Sequence, residues 1–365
     1  MFTPERLVLA RKRRRMTLAA LARQAGISAQ SLTAFENHRK NPSVETLSSL
    51  ASTLRFPVSF FHADPAPDMT PGAVSFRAPS KMSAAERDSA LSSGSIAATL
   101  NLWLETKFSL PQPDVPDLGE LASELTPEQA AEHVRGAWGL GEAPAPNMVH
   151  LLEAHGVRVF SLAPDCLDID AFSTTRHGTP YVFLNTRKTG ERGRFDVAHE
   201  LGHLVLHSGY QSPRGPKAEA EADAFASAFL MPRAGILAQQ LSNASVERIL
   251  SAKRRWKVSA MALAYRLRTM KLLSEWRYHE TAKQLAQMGY RKAEPNSDLV
   301  RESSQLLAKV FEALRGIGMA PSEIAAEMNV TVEELNHFVF GLVPVGFEGG
   351  GQRTAPARPA LHLVT

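Results

Sequence analysis

The sequence contains a single cysteine, Cys166, among its 365 residues, and this scarcity excludes two classes of site. One thiol can form neither an internal disulfide nor a cysteine-rich zinc cluster. A chain without disulfides is typical of a reducing compartment, so we expect a cytoplasmic protein. The N-terminal stretch MFTPERLVLARKRRRM lacks the apolar segment of a secretory signal, and no apolar run is long enough to span a membrane. The sequence therefore predicts a soluble protein with no membrane partner.

The chain as a whole has only a small excess of positive charge, since the net charge is +4. Residues 1–62 are the exception, because ten Lys and Arg against three Glu give +7 there and leave −3 for the rest of the chain. Such a basic cluster favours a polyanionic partner, the alternative being a solvated surface. Aromatic residues are few, at 7%, but a hydrophobic content of 44% is sufficient for two or three globular domains.

Apolar residues at helical spacing predict five short helices between residues 4 and 62. Gly26 supplies a tight turn, and Ser28 can cap a third helix that runs through Phe35. The stretch TLAALARQAGISAQSLTAFENHRKNPSVETLSSLASTL resembles the Xre (lambda Cro/cI-type) helix-turn-helix family, and the resemblance covers residues 5–62. It implies a five-helix lambda-repressor-like DNA-binding domain. Family members usually bind palindromic operators as dimers, so we expect a homodimer.

The resemblance places the helix from Ser28 to Phe35 in the major groove of a double-stranded DNA operator. Gln30 is the best candidate for a bidentate contact with adenine, because its amide matches the polar groups on that base edge. Other polar residues are candidates for base or phosphate contacts, namely Ser28, Ser31 and Thr33 for either and Gln24, Asn37, Arg39 and Lys40 for phosphates. The basic run at 11–15 would add a sequence-independent attraction. The alternative for any one of these residues is plain solvent exposure.

The rest of the chain is predicted to be mainly helical with a few strands. We expect helices at about 83–107 and 127–155 and throughout 194–285, and two strands, Val157–Phe160 and Tyr181–Leu184, in short apolar runs. The expected fold class is therefore mainly α with a small β-sheet, an α+β protein.

The motif His199-Glu200-Leu201-Gly202-His203 carries the chemistry of this second part. Two histidines four residues apart project from one face of a helix, so both imidazoles can reach one zinc ion. Glu200 lies about 100° around the helix, where it can act as general base toward a water molecule without being a ligand. The flanking residues are apolar, so this helix is expected to be buried, and buried polar groups require partners. The alternative is a pair of core histidines satisfied by hydrogen bonds.

A third ligand is expected from the downstream helix AEAEADAFASAFLMP. Glu219 falls near the edge of the apolar face of that helix, whereas Glu221 falls well outside it, so Glu219 is the predicted ligand. Asp223, one turn on, could orient a ligand histidine. His207 is the rival, but on a continuous helix it lies about 9 Å along the axis from the midpoint of the other two histidines. We interpret His207 as a helix-end residue.

These residues resemble the ImmA/IrrE family of zinc metallo-endopeptidases, whose HExxH helix is followed by Glu-x-x-x-Asp/Asn and Phe-Ala-…-Leu-Met-Pro. The matching residues here are Glu219, Asp223, Phe225-Ala226 and Leu230-Met231-Pro232, and the resemblance covers about residues 72–295. It implies a gluzincin-like fold, a Zn²⁺ cofactor and Glu200 as the catalytic base. The expected organisation is then a DNA-binding domain (1–62), a linker (63–80), a zinc peptidase domain (81–295), a small helical module (296–345) and a mobile tail (346–365).

The C-terminal module has a second helix-turn-helix rhythm, but Glu333 and Glu334 would face phosphates badly, which favours packing or a partner contact over DNA binding. The sequence as a whole predicts a transcriptional regulator with an endopeptidase domain that cleaves an Xre-type repressor, or itself, in a stress or mobile-element response. The alternative is a non-enzymatic repressor or antitoxin-like regulator whose zinc fold is a sensor or dimerisation platform.

Overall fold

The computed structural model describes residues 1–69, 83–121, 124–163, 166, 169–208, 215–295, 297–339 and 341–343, and the backbone of 74–77. The tail at 346–365, which we expect to be mobile, lies outside these residues. Within them the chain forms α-helices and one four-stranded sheet, so the predicted α+β class is confirmed.

The helices are α1 Pro4–Arg13, α2 Leu18–Gln24, α3 Ala29–Glu36, α4 Val44–Leu54, a 3-10 helix Val58–His62, α5 Ala84–Glu105, α6 Pro127–Ala137, α7 Met148–Ala154, α8 Gly190–Leu206, α9 Pro216–Leu230, α10 Arg233–Leu237, α11 Val246–Trp256, α12 Ala260–Thr269, α13 Glu275–Gln287, α14 Gln305–Gly316, α15 Pro321–Glu327 and α16 Val332–Val339. The strands are β1 Val74–Arg77, β2 Arg158–Ser161, β3 Ala171–Arg176 and β4 Thr179–Leu184. No helix among these is both long enough and apolar enough to cross a membrane.

The first 62 residues form five short helices, as the periodicity predicts, and the last of them is a 3-10 helix. The side chains of Thr17, Ser28 and Ser43 each accept a backbone N–H in the first turn of α2, α3 and α4. Gly26, between α2 and α3, has a φ of 69°, a left-handed conformation that glycine adopts without strain. The turn and caps therefore define where α3 begins and how it leaves α2.

The sheet has the strand order β1-β3-β4-β2, in which β2 and β4 are parallel and the other pairs antiparallel. β2 and β4 agree with the two predicted apolar runs. β3 was not predicted, because its buried residues Ser173 and Thr174 are polar and hide the apolar pattern. β1 was not predicted either, and it lies within residues 63–80 that composition indicates as a linker.

The helix predicted at 127–155 is in fact two helices, α6 and α7, separated by residues 138–147. Gly139 and Gly141 both have left-handed backbone conformations, with φ of 64° and 50°, and Pro144 and Pro146 follow. Left-handed residues and prolines cannot continue an α-helix, so the prediction was wrong over this segment.

Helices α8 and α9 pack against each other and carry the HExxH motif and the downstream acidic residues. A glycine lies at their point of closest approach, because a Cβ on Gly202 would lie 3.1 Å from Cδ1 of Phe225 and 3.2 Å from the Cα of Ala222. A larger residue at 202 would push the helices apart. The small residue inside the HExxH motif therefore sets the separation of the two helices.

Helix α16 contacts the N-terminal helices through a buried ionic contact. The side chain of Glu334 on α16 is fully buried and accepts hydrogen bonds from Arg13, at 3.1 Å, and from Arg14. Ser89 on α5 donates to the backbone carbonyl of Arg13, at 2.9 Å. This agrees with the prediction that the C-terminal module has a packing role, since Glu334 contacts the protein itself.

Candidate metal centre and DNA-binding surface

The two histidines of the HExxH motif lie on the buried face of α8, with 1% and 4% of His199 and His203 exposed. Their Nε2 atoms are 3.0 Å apart. Glu219, in the first turn of α9, places one carboxylate oxygen 3.3 Å from Nε2 of His199 and the other 3.3 Å from Nε2 of His203. The packing of α9 on α8 thus brings Glu219 next to both histidines, although it lies sixteen or more residues from each of them in the sequence.

This donor set fits a zinc ion. Two ligands at about 2.0–2.1 Å from a tetrahedral ion are separated by about 3.3 Å. Here the two Nε2 atoms are 3.0 Å apart, and each lies 3.3 Å from a different oxygen of Glu219. Two imidazole nitrogens and one carboxylate oxygen are also the chemistry of catalytic zinc sites, which leave a fourth position open. The arrangement could hold Zn²⁺ without a change of backbone.

The electrostatics favour the protonation states that bind a cation. Burial lowers the pKa of His203 to about 4, so its imidazole is neutral at pH 7, the form in which a ring nitrogen can coordinate. Burial would raise the pKa of Glu219, but its hydrogen bonds with His199 and His203 outweigh that effect and hold the pKa at about 2. The set therefore presents a neutral imidazole at His203 and a carboxylate at Glu219 near neutral pH.

The opposite ring nitrogens of the histidines have partners of their own. Nδ1 of His199 lies 2.8 Å from Oδ1 of Asp223, the residue that the sequence indicates as an orienting group. Nδ1 of His203 lies 2.8 Å from Nδ1 of His207, whose Nε2 is 3.0 Å from a carboxylate oxygen of Glu221. Each imidazole is thus hydrogen-bonded through its Nδ1, while its Nε2 faces Glu219.

Glu200 is fully buried on α8 and contacts the neighbouring sheet. Ser173 on β3 donates a hydrogen bond to Oε2 of Glu200, at 2.6 Å. A hydroxyl donor to one oxygen orients the carboxylate. Glu200 thus follows His199 on α8 but lies outside the three-donor set.

The residues predicted to contact DNA lie on the outer surface of α2, α3 and the following turn. Gln24, Ser28, Gln30, Thr33, Asn37, Arg39 and Lys40 are exposed, and Ser31 is half-buried. Two hydroxyls are partly engaged, since Ser28 caps α3 and Thr33 donates to the carbonyl of Ala29, at 2.8 Å. Gln30 is exposed near the start of α3, and no side-chain hydrogen bond of Gln30 is found among the described residues. It therefore remains the best candidate for reading a base.

The basic run at 11–15, which we expect to attract phosphates, is also paired within the protein. Each of its five side chains is matched by a carboxylate of the chain itself, the pairs being Arg11–Glu36, Lys12–Asp88, Arg13–Glu334, Arg14–Glu334 and Arg15–Glu86. The side chain of Arg13 is only 1% exposed. These carboxylates lie on α3, α5 and α16, so part of the charge of the run is balanced within the protein.

Comparison with known families finds two matches along the chain. The family described as helix-turn-helix matches residues 7–61, and the family described as IrrE N-terminal-like domain matches residues 152–268. The two matches agree with the fused arrangement that the sequence indicates. No curated protein matches the sequence.

The match to the IrrE N-terminal-like domain covers β2, β3, β4 and the helices α8 to α11, and so contains the whole three-donor set. A family of this kind is metallopeptidase-like, and the helix-turn-helix match indicates a DNA-binding regulator. The helix-turn-helix match contains all of the residues that we expect to contact DNA.

Sequence reasoning missed three residues around the metal centre, Ser173, His207 and Glu221. His207 does end α8, as interpreted, but its ring also contacts His203. Its spacing of four residues from His203 was a usable signal, because residues i and i+4 share a helix face. Glu221 was set aside because it points away from the apolar face of α9, and Ser173 lay in an unpredicted strand.

Proposed function

We propose that this protein is a DNA-binding transcriptional regulator that carries a zinc-dependent endopeptidase domain. We further propose that it is cytoplasmic, binds its operator as a homodimer, and cleaves an Xre-type repressor, or its own chain, in a stress or mobile-element response. The observation that carries the enzymatic part is the donor set of His199, His203 and Glu219, in which both Nε2 atoms lie 3.3 Å from a Glu219 oxygen and 3.0 Å from each other.

In this proposal His199, His203 and Glu219 hold the zinc ion. When bound, Zn²⁺ acts as a Lewis acid that polarises the scissile carbonyl and increases the acidity of water. Glu200 accepts the proton of the attacking water and delivers it to the leaving amine, so the carboxylate serves as base and then as acid. Ser173 holds one oxygen of Glu200 by its hydrogen bond, at 2.6 Å, which fixes the carboxylate for both transfers.

The DNA-binding part rests on the exposed polar surface of α3. Gln30 is proposed to read a base, with Ser28, Ser31 and Thr33 beside it, and Gln24, Asn37, Arg39 and Lys40 are proposed to contact phosphates. Because the basic run at 11–15 is paired internally, the phosphate contacts depend on these few residues. We therefore expect the operator affinity to depend on salt concentration less strongly than the net charge of residues 1–62 would suggest.

One observation favours the second candidate, a non-enzymatic regulator with a structural zinc site. Glu200 is 0% exposed, and a base that acts on water needs access to it. In this alternative Glu200 only links α8 to β3 through Ser173, and the zinc fold serves as a sensor or dimerisation platform. The two candidates differ in one measurable property, which is peptide cleavage that depends on Glu200.

The deciding experiment compares wild-type protein with Glu200→Gln. Both are stripped with a chelator, reloaded with zinc and incubated with a panel of Xre-type repressors, and fragments of the repressors and of the chain itself are identified by mass spectrometry. Glu132→Gln, at an exposed position of α6, is the matched control. We expect zinc-dependent fragments from wild type and Glu132→Gln but not from Glu200→Gln. Equal cleavage by Glu200→Gln would remove the catalytic proposal, and zinc binding without cleavage would favour the alternative.

A further inference from the structure

The two histidines of the candidate metal centre are supported in different ways. His199 is backed directly by a carboxylate, since its Nδ1 is 2.8 Å from Asp223. His203 is backed by a second imidazole, that of His207, and only then by a carboxylate, that of Glu221. The second arrangement is a chain of three side chains drawn from two helices.

The geometry permits one proton arrangement when His203 is a ligand. A ligand uses the lone pair of Nε2, so the neutral ring of His203 must carry its proton on Nδ1. The contact between the two Nδ1 atoms, at 2.8 Å, then has His203 as donor and His207 as acceptor. The proton of the neutral His207 ring must therefore be on Nε2, from which it donates to Glu221 at 3.0 Å. Every hydrogen bond in the chain points away from the donor set.

His207 is placed to support the centre and not to join it. Nδ1 of His207 contacts Nδ1 of His203, which is the ring nitrogen that points away from Glu219. The three-donor group found in the described part of the chain does not include His207. The side chain of His207 is 6% exposed and that of Glu221 is 24% exposed, so both are largely shielded from water. Shielded polar groups hold their partners in fixed positions, because an unpaired state is costly.

We propose that His207 and Glu221 are positioning residues of the metal centre, which fix the tautomer and the ring orientation of His203 and thereby strengthen its hold on the metal ion. This inference rests on the proposed zinc site but concerns metal affinity, not turnover. Mutation of residues that support a metal-binding histidine in this way typically weakens metal binding 10–100-fold.

The test measures the zinc dissociation constant by competition with a chromophoric chelator. We expect His207→Ala to bind zinc 10–100-fold more weakly than wild type. His207→Asn should stay close to wild type, because an amide oxygen can still accept the Nδ1 proton of His203. Glu221→Ala should show a smaller loss, and the double variant His207→Ala/Glu221→Ala should lose no more than His207→Ala alone.

Lys217→Ala is the matched control. Lys217 contacts Glu221 from the solvent side, at 3.8 Å, and its side chain is 75% exposed, so its removal perturbs the same carboxylate without breaking the chain of hydrogen bonds. We expect its zinc affinity to equal that of wild type. Circular dichroism of the metal-free proteins shows whether a variant has lost its fold, and Glu221→Ala and His207→Asn carry the test if His207→Ala does not fold.

Three results would overturn the proposal. The first is wild-type zinc affinity in His207→Ala. The second is equal loss in His207→Asn and His207→Ala, which would indicate a packing role. The third is a loss above about 1,000-fold together with a changed Co²⁺ visible spectrum, which would make His207 itself a ligand. If wild-type protein binds no zinc, the proposed function fails with it, whereas unchanged affinity in His207→Ala overturns only this inference.

Discussion

The buried carboxylate of Glu334 yields the prediction with the most clearly defined magnitude. Its side chain is 0% exposed and accepts hydrogen bonds from Arg13, which is 1% exposed, and from Arg14, which is 19% exposed. Replacement by Gln removes the negative charge that faces the buried guanidinium of Arg13. Breaking a buried pair by removal of one partner typically costs about 3–5 kcal/mol.

The acidity of Glu334 gives an independent magnitude. Burial would raise its pKa, but His337, Arg13 and Arg14 outweigh this effect and lower the pKa from 4.5 to about 2. At 1.36 kcal/mol per pKa unit, this shift corresponds to about 3 kcal/mol, in line with the cost of losing the partner. Because the folded pKa is depressed, the stabilisation is fully present above about pH 4.5 and is lost as the pH falls toward 2.

The assay is native-state hydrogen exchange of peptides that cover α1 and α16, since exchange reports the free energy of local opening. Glu334→Gln should lower the opening free energy of both helices by about 3 kcal/mol at pH 7. The exposed neighbour variant Glu333→Gln should change it by less than about 0.5 kcal/mol. Wild-type protein near pH 3 should partly reproduce the effect of Glu334→Gln.

The reasoning would be refuted by one pattern in particular. If Glu334→Gln lowers the opening free energy by less than about 1 kcal/mol, the pair is not the contact that holds the DNA-binding domain. A second variant checks the cause, because Arg13→Met combined with Glu334→Leu replaces the pair with apolar groups of similar volume. We expect this double variant to be more stable than Glu334→Gln alone.

Three further predictions concern the metal, the DNA and the C-terminal module. Glu219→Gln removes the only carboxylate donor of the set, so zinc content after gel filtration should fall from one per chain to near zero, and retained zinc would contradict the ligand assignment. Gln30→Ala should relax discrimination at one base pair of an operator selected from random DNA by about 1–3 kcal/mol, whereas Lys40→Ala should weaken binding to all sequences alike. Burial raises the pKa of Glu153, which caps α14, from 4.5 to about 7, so the protection of α14 should be full below about pH 4.5 and decrease as the pH rises through 7. Glu153→Gln should remove that decrease, and an unchanged pH profile would exclude Glu153 as its source.

The structure changes the meaning of the basic N-terminal segment. Its charges suggest a surface for DNA, but Arg13 and Arg14 reach Glu334, a residue more than 300 positions away along the chain. The N-terminal helices therefore contact α5 and α16.

The sequence alone was sufficient for the features that depend on local spacing. The five N-terminal helices, the cap at Ser28 and the shared helix face of His199 and His203 all follow from residues within a few positions of one another. The preference for Glu219 over Glu221 in the donor set also came from helical spacing, and the structure places Glu219 next to both histidines. Periodicity encodes these features because one helix turn has a fixed geometry.

Only the tertiary structure decided which distant side chains meet. Strand β3 is recognisable once Ser173 and Thr174 are seen to be buried. His207 can contact Glu221 because α9 brings Glu221 to the end of α8. The pairing of Arg13 and Arg14 with Glu334 depends on the position of α16 next to α1. Hydrogen bonds and ion pairs of this kind link residues with no fixed separation in sequence, so no local pattern can predict them.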